Sequence, residues 1–193
     1  MKESATAVSK CATGIEGLDT ITNGGFITED AYLIRGQPGT GKTILGWHFL
    51  LAGRKDDSPL YVSFDERGDK IRRNAGALGI DLNGIEIADM TPEGSFFADA
   101  EIYDIFPAGE VEGANLIDRL REATEKRSPK RVFLDPIHQL RQLTRDEFQF
   151  RKQLLSLLRY LQEQGATVLF TSQPGPSNPD DDAPTESGGS WEK

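Results

Sequence analysis

With 193 residues, the chain has room for one domain with a substantial core, or for a domain followed by a tail. Its net charge of −9, from 22 basic and 31 acidic residues, disfavours broad binding to phosphate backbones. The single cysteine, Cys11, excludes an internal disulfide and a cysteine-based metal site, which favours a reducing cytoplasm. The N-terminus lacks the apolar region of a secretory signal and no apolar run approaches transmembrane length, so we expect a cytoplasmic protein without membrane contact.

Apolar runs rich in β-branched and aromatic residues alternate with helical patterns along the chain. The predicted strands are 31–35, 60–64, 85–88, 131–134 and 167–171. Apolar residues at helical spacing occur in three groups: Ile71, Ala75 and Leu78; Leu116, Leu120 and Ala123; and Leu154, Leu157, Leu158 and Leu161. This alternation predicts an α/β fold with a mainly parallel sheet covered on both faces, in which ligands bind beyond the carboxyl ends of the strands.

The composition changes at three places and sets the expected domain limits. We expect residues 1–12 to form a flexible arm and residues 13–173 to form one domain. Residues 174–193 are acidic and rich in Pro, Gly and Ser, which predicts a disordered tail. Residues 91–112, rich in Gly, Pro, Phe and acids, are predicted to be an excursion that lies over the domain.

The first predicted strand runs directly into GQPGTGKT, residues 36–43, and a helical stretch follows. The pattern G-x-x-x-x-G-K-T in a strand–loop–helix setting is the P-loop of nucleotide-binding proteins. Its backbone N–H groups surround the phosphates, Lys42 reaches the β- and γ-phosphates, and Thr43 offers a hydroxyl to Mg²⁺. We therefore expect ATP or ADP and Mg²⁺ as ligands. The predicted nucleotide-binding residues are Gly36, Pro38, Gly39, Thr40, Gly41, Lys42, Thr43 and Ile44.

Two further strand ends carry polar residues suited to such a site. The run RVFLD ends in Asp135, which matches the Walker B pattern, and we expect this acid to share the metal with Thr43. Gln173 follows the last predicted strand. It is either a sensor of the γ-phosphate or simply a polar strand end, and the sequence favours neither.

An acidic pair, Asp65 and Glu66, ends the strand after the P-loop helix. Hydrolysis of a phosphate requires a group that positions or deprotonates water, and a carboxylate at this edge of the sheet can do so. The alternatives are a solvated strand end or, for Asp65, an N-cap of the next helix. Glu66 is the better candidate because of its longer reach. The predicted catalytic residues are thus Glu66, Asp65 and Lys42.

The remaining polar candidates have simpler interpretations. His138, three residues after Asp135, favours a structural role over a catalytic one, and Trp47 and His48 on the P-loop helix favour packing. Four basic residues follow the Walker B strand, and a solvated helix face is favoured over a nucleic-acid contact. These residues are Arg141, Arg145, Arg151 and Lys152.

Together with TGIEGLD at residues 13–19, NGG at 23–25 and RNAGALGIDL at 73–82, these motifs closely resemble KaiC-like ATPases of the RecA superfamily. The resemblance covers roughly residues 13–173. It implies a RecA-like three-layer αβα P-loop NTPase core, and a regulatory ATPase that hydrolyses ATP slowly. It also implies homo-oligomeric rings, usually hexamers, with ATP at the interfaces and the acidic pair activating water. Protein partners are unknown and nucleic acid is not expected.

The chain departs from the family pattern at three places. Asp65 stands where a second Glu is common, and Glu29 stands where a glycine usually precedes the P-loop strand. The domain is also expected to be shortened at its C-terminus, because the acidic tail replaces the further strands of the family, and autokinase activity is not implied. Two other functions stay open: a RecA/RadA-type DNA-dependent ATPase, and a nucleotide-binding module without turnover.

Overall fold

In the computed structural model, the described residues are 8–91, 118–143 and 147–173. The strands are β1 (Lys10–Cys11), β2 (Phe26–Ile27), β3 (Ala31–Arg35), β4 (Leu60–Ser63), β5 (Glu86–Asp89), β6 (Arg131–Asp135) and β7 (Thr167–Ser172). The helices are α1 (Glu16–Ile21), α2 (Lys42–Ala52), α3 (Gly68–Ala77), α4 (118–125) and α5 (Glu147–Glu163), with a 3-10 helix at Ile137–Leu143. Among these residues, no helix is both long enough and apolar enough to cross a membrane.

Five strands form one parallel sheet in the order β3-β7-β6-β4-β5. Strands of such a sheet are buried on both faces and so consist of continuous apolar runs. In β6, Val132, Phe133 and Leu134 are all fully buried. The predicted parallel sheet is therefore confirmed, and each predicted strand differs from the observed one by at most one residue at either end.

Helices cover the sheet on both faces, as predicted. On one face, α2 and α3 bury Phe49 and Ile71 against the sheet residue Phe133. On the other, α4 and α5 bury Leu120 and Leu161 against the β6 residue Leu134. Of the residues predicted at helical spacing, Leu78 occupies the C-cap position of α3, and Leu116 lies outside the described residues.

A close approach between α2 and β6 positions the start of α2. Gly46 lies over Phe133, and a Cβ atom at this position would be 2.1 Å from the aromatic ring. Real Cβ contacts are essentially never this short, so only glycine allows α2 to lie this close to β6. This close packing places the first turn of α2 beside Asp135 at the end of the same strand.

The N-terminal segment packs on α2 and on the edge of the large sheet. Gly14 has a φ of +79°, and a Cβ there would be 2.6 Å from the carbonyl oxygen of His48 in α2. Phe26 stacks on Tyr32 with ring centroids 4.2 Å apart. Lys10 and Cys11, which fall within the expected arm, pair with β2.

Several expectations fall on residues that are not described. Residues 1–7 of the expected arm, residues 92–112 of the expected excursion and the expected tail at 174–193 lie outside the described residues.

Candidate nucleotide site

The predicted P-loop connects β3 to α2 in the required order of strand, loop and helix. Gly39 and Gly41 have φ angles of +82° and +85°, a region that favours glycine, so the loop turns tightly before α2 begins. Lys42 is the first residue of α2, and its Nζ donates hydrogen bonds to the carbonyl oxygens of Gly36 and Gln37, both at 2.8 Å. The ammonium group therefore lies within the curve of the loop, at the helix N-terminus.

Two residues that the sequence assigns to one metal ion are in contact. The hydroxyl of Thr43, in the first turn of α2, donates a hydrogen bond of 2.7 Å to Oδ2 of Asp135 at the end of β6. Asp135 is 7% exposed, so its carboxylate depends on hydrogen bonds from the protein. The strand end and the P-loop helix thus meet at the carboxyl edge of the sheet.

Two further hydroxyl groups hold the Asp135 carboxylate. Tyr61 in β4 donates to Oδ2 at 3.0 Å, and Thr171 in β7 donates to Oδ1. Burial and the neighbouring Asp135 carboxylate raise the pKa of Tyr61 well above its ordinary value, so the phenol stays protonated and remains a donor. Both donors come from the strands that flank β6. Neither residue was predicted from the sequence, because their approach to Asp135 depends on the strand order.

The acidic pair lies beside Asp135, as predicted from the strand ends. Ser63, the last residue of β4, is paired in register with Asp135, and the N–H of Phe64 donates to the carbonyl oxygen of Asp135 at 3.0 Å. The chain then turns outward, so Asp65 is exposed and Glu66 is partly buried. After burial and Asp135, the Glu66 carboxylate also contributes to the raised pKa of Tyr61.

Asp65 does not cap α3, so that alternative for it is wrong. The N-cap position is Arg67 and no side chain caps there in the usual way. The N–H of Gly68 instead donates to Oδ2 of Asp89, at the end of the neighbouring strand β5, at 3.3 Å. Asp65 accepts a hydrogen bond of 3.1 Å from Nε2 of Gln139 in the 3-10 helix after Asp135.

The remaining predicted residues lie after β7, in the 3-10 helix, in the core and on the P-loop surface. Gln173 is exposed just after β7. The carbonyl oxygen of the preceding Ser172 accepts a hydrogen bond of 3.4 Å from the N–H of Gly36, so Gln173 lies next to the start of the P-loop.

Nδ1 of His138 is buried without a hydrogen-bond partner among the described residues. Trp47 is a core residue, as expected. Pro38, Thr40 and Ile44 all lie on the exposed side of the loop and first turn.

The structure also places Glu29, Cys11 and the basic residues that follow β6. Glu29 has a φ of +62°, which explains why glycine suits this position in the pattern that the chain resembles. Burial raises the pKa of the Cys11 thiol, which disfavours a reactive thiolate. Of the basic residues after β6, Arg151 and Lys152 are exposed on α5, whereas the side chains of 141 and 145 lie outside the description.

The residues present fit a nucleotide phosphate and a hard divalent cation. A Cβ at Gly39 or Gly41 would meet no atom within 4 Å, so the space around the loop is open. Thr43 and Asp135 offer oxygen atoms, the ligands that Mg²⁺ prefers. Within the described ranges no cluster of three His, Cys, Asp or Glu could hold a metal alone.

A family model described as "ATPase: KaiC" matches residues 11–183, a range that contains every element of this site. The chain belongs to the KaiC ATPase family. The five-stranded parallel sheet with helices on both faces is thus the RecA-like P-loop core of this family.

Two circadian clock proteins are similar to this chain. The circadian clock oscillator protein KaiC of Parasynechococcus marenigrum (strain WH8102) is 33% identical over 174 residues, which cover 86% of this chain and 32% of that protein. The circadian clock protein KaiC2 of Synechocystis sp. is 34% identical over 174 residues, which cover 88% of this chain and 30% of that protein. The chain therefore spans about a third of the length of these relatives.

Proposed function

We propose that the chain is a Mg²⁺-dependent ATP-binding domain of KaiC type that hydrolyses ATP slowly and acts in regulation. The observation that carries this proposal is the contact between Thr43 of the P-loop and Asp135 at 2.7 Å, next to the strand end that bears Glu66. A glycine-rich turn that binds no nucleotide would not need a buried carboxylate at this place. We also propose self-association, as the family resemblance implies, and a cytoplasmic location, which the single cysteine favours.

The loop and α2 account for phosphate binding. The first N–H groups of a helix have no partner within the helix, and the helix dipole adds partial positive charge there. The ammonium group of Lys42 exchanges its two loop carbonyl partners for phosphate oxygens when a nucleotide binds. Thr43 and Asp135 would hold the Mg²⁺ ion, which, when bound, neutralises charge that develops on the phosphates.

Glu66 accounts for hydrolysis. Its carboxylate accepts a proton from a water molecule as the water oxygen attacks the γ-phosphorus atom. The bond between that phosphorus and the bridging oxygen of ADP breaks, and the products are ADP and inorganic phosphate. Asp65 is one carbon shorter and points to solvent, so we assign it a smaller contribution.

Replacing Lys42 with Ala is expected to weaken ATP binding about 10- to 100-fold, since hydrogen bonds to charged groups contribute about 1.5–3 kcal/mol each. The dissociation constant of a fluorescent ATP analogue, measured with Mg²⁺, tests this. Lys55→Ala is the matched control, because Lys55 is an exposed lysine beyond the far end of α2. Equal affinity of Lys42→Ala and the parent chain would show that the site is wrongly assigned.

Removing Mg²⁺ with a chelator is expected to weaken ATP binding by the parent chain about tenfold or more, because the bridging cation is lost. Asp135→Asn and Thr43→Val are expected to bind ATP equally weakly with and without Mg²⁺. Thr43→Val is the cleaner variant, since it leaves the buried carboxylate of Asp135 and its other donors in place. A Mg²⁺ effect of unchanged size in both variants would contradict the metal assignment.

A further inference from the structure

The Glu66 carboxylate is held on both oxygens by α3. Nζ of Lys70 is 2.7 Å from Oε1, and Nδ2 of Asn74 donates to Oε2 at 3.3 Å. Lys70 and Asn74 are spaced by four, so they lie one turn apart on one stripe of α3, and Glu66 lies one residue before the N-cap residue Arg67. Each oxygen of the Glu66 carboxylate therefore has one donor from α3.

The backbone of Glu66 is fixed as well. Oγ of Ser63 donates to the carbonyl oxygen of Glu66 at 2.6 Å and accepts the N–H of Glu66 at 3.2 Å. Ser63 is 1% exposed and is paired in register with Asp135. The turn that carries Glu66 is thus tied directly to the strand pair that carries the Asp135 carboxylate.

We infer that Lys70 and Asn74 are positioning residues for Glu66 in ATP hydrolysis, an inference that rests on the proposed function. Each carboxylate oxygen can accept two hydrogen bonds, and each of the two residues uses one of them. One acceptor position per oxygen remains for water, in an orientation that α3 determines. Asp65, in contrast, is exposed and is held through one oxygen by Gln139.

A second interpretation of the Lys70–Glu66 pair is helix stabilisation alone. The Lys70 and Glu66 side chains are 50% and 36% exposed, and exposed pairs at this spacing contribute about 0.3–0.5 kcal/mol to a helix. Such a contribution changes stability slightly and leaves turnover unchanged. A positioning role instead lowers kcat, because a misplaced base costs up to about 100-fold in rate.

Lys70→Met in the full chain is expected to lower kcat about tenfold while KM for ATP stays within about twofold of the parent value. Lys70→Arg, which keeps a donor of similar reach, is expected to restore most of the rate. Arg73→Met is the matched control: it removes one positive charge from an exposed position of the same helix, and kcat should be unchanged. Thermal unfolding of all three variants shows whether stability differs.

Asn74→Leu supplies a second, independent removal of a donor, and a several-fold lower kcat is expected. The decisive comparison is made in the Glu66→Gln background, with radiolabelled ATP and long incubations. If Lys70 and Asn74 act through Glu66, their substitutions lower kcat further by less than about twofold there, because coupled residues are not additive.

The outcomes separate the inference from the proposed function. If Glu66→Gln loses turnover but Lys70→Met and Asn74→Leu keep it, the inference is wrong and the proposed function stands. A rise in KM without a fall in kcat also overturns the inference, since it assigns Lys70 to nucleotide binding. If the parent chain hydrolyses no more ATP than Lys42→Ala does, the proposed function fails and the inference fails with it.

Discussion

Glu66→Gln is expected to lower kcat for ATP hydrolysis at least about 100-fold, since a positioned general base contributes about 10²- to 10⁴-fold. The amide has nearly the shape of the carboxylate but cannot take the proton from water. Nucleotide affinity should stay within about twofold of the parent value, because the phosphate contacts come from the P-loop and not from β4. Phosphate release under saturating ATP and Mg²⁺, together with binding of an ATP analogue, measures both quantities.

Asp65→Asn is the matched control for this substitution. It also converts an acid of the pair to its amide, but at an exposed side chain that Gln139 holds through one oxygen. We expect kcat to fall no more than about threefold, because general-base efficiency depends on placement within hydrogen-bond reach. If Asp65→Asn loses turnover and Glu66→Gln keeps it, the two roles are exchanged. If neither substitution changes kcat, the pair is not the base.

The large sheet was predictable because its residues follow a strong local pattern. A strand buried on both faces must be apolar in its central positions, and VFL at 132–134 and VLF at 168–170 meet this condition. The small sheet was not predicted. Its two strands have two residues each, too few to show a periodic pattern.

The parts of the candidate site that form short local motifs could be predicted from the sequence. The P-loop, Asp135 and the acidic pair all follow from motifs and from the rule for strand ends. Tyr61 and Thr171 approach Asp135 only because β4 and β7 flank β6, and alternation of strands and helices does not determine this order. Lys70 and Asn74 did have a local signal, the spacing of four residues from Glu66.

Arg131 is a further residue whose importance depends on contacts distant in sequence. It begins β6 and is 5% exposed, yet it carries a full charge. Its Nε pairs with Asp57, and its Nη1 donates to the carbonyl oxygens of Ala12 and of Phe49, the latter at 2.9 Å. The guanidinium carbon also lies 5.1 Å from the centroid of the Phe49 ring. One side chain thus joins the N-terminal segment, α2 and β6.

Arg131→Met is expected to destabilise the fold by about 3 kcal/mol, because removal of one partner leaves the other charge and the buried carbonyls without donors. For a domain of this size, this loss corresponds to a fall in the melting temperature of about 6–12 °C. Arg131→Lys should recover only part of it, since an ammonium group cannot reproduce the planar donors of the guanidinium. Thermal and denaturant unfolding measure the change.

The double variant Arg131→Met/Asp57→Leu tests whether the ion pair is the cause. It should be less destabilised than the sum of the two single variants, because it leaves no uncompensated charge at the pair. Strict additivity would assign the loss of stability to the Arg131 stem and the two carbonyls.

Arg131 and Asp135 lie at opposite ends of β6, so Arg131→Met should bind ATP with parental affinity at a temperature where it is fully folded. Weak binding under those conditions would mean that the N-terminal segment and α2 act together on the P-loop, since α2 links both ends of the sheet.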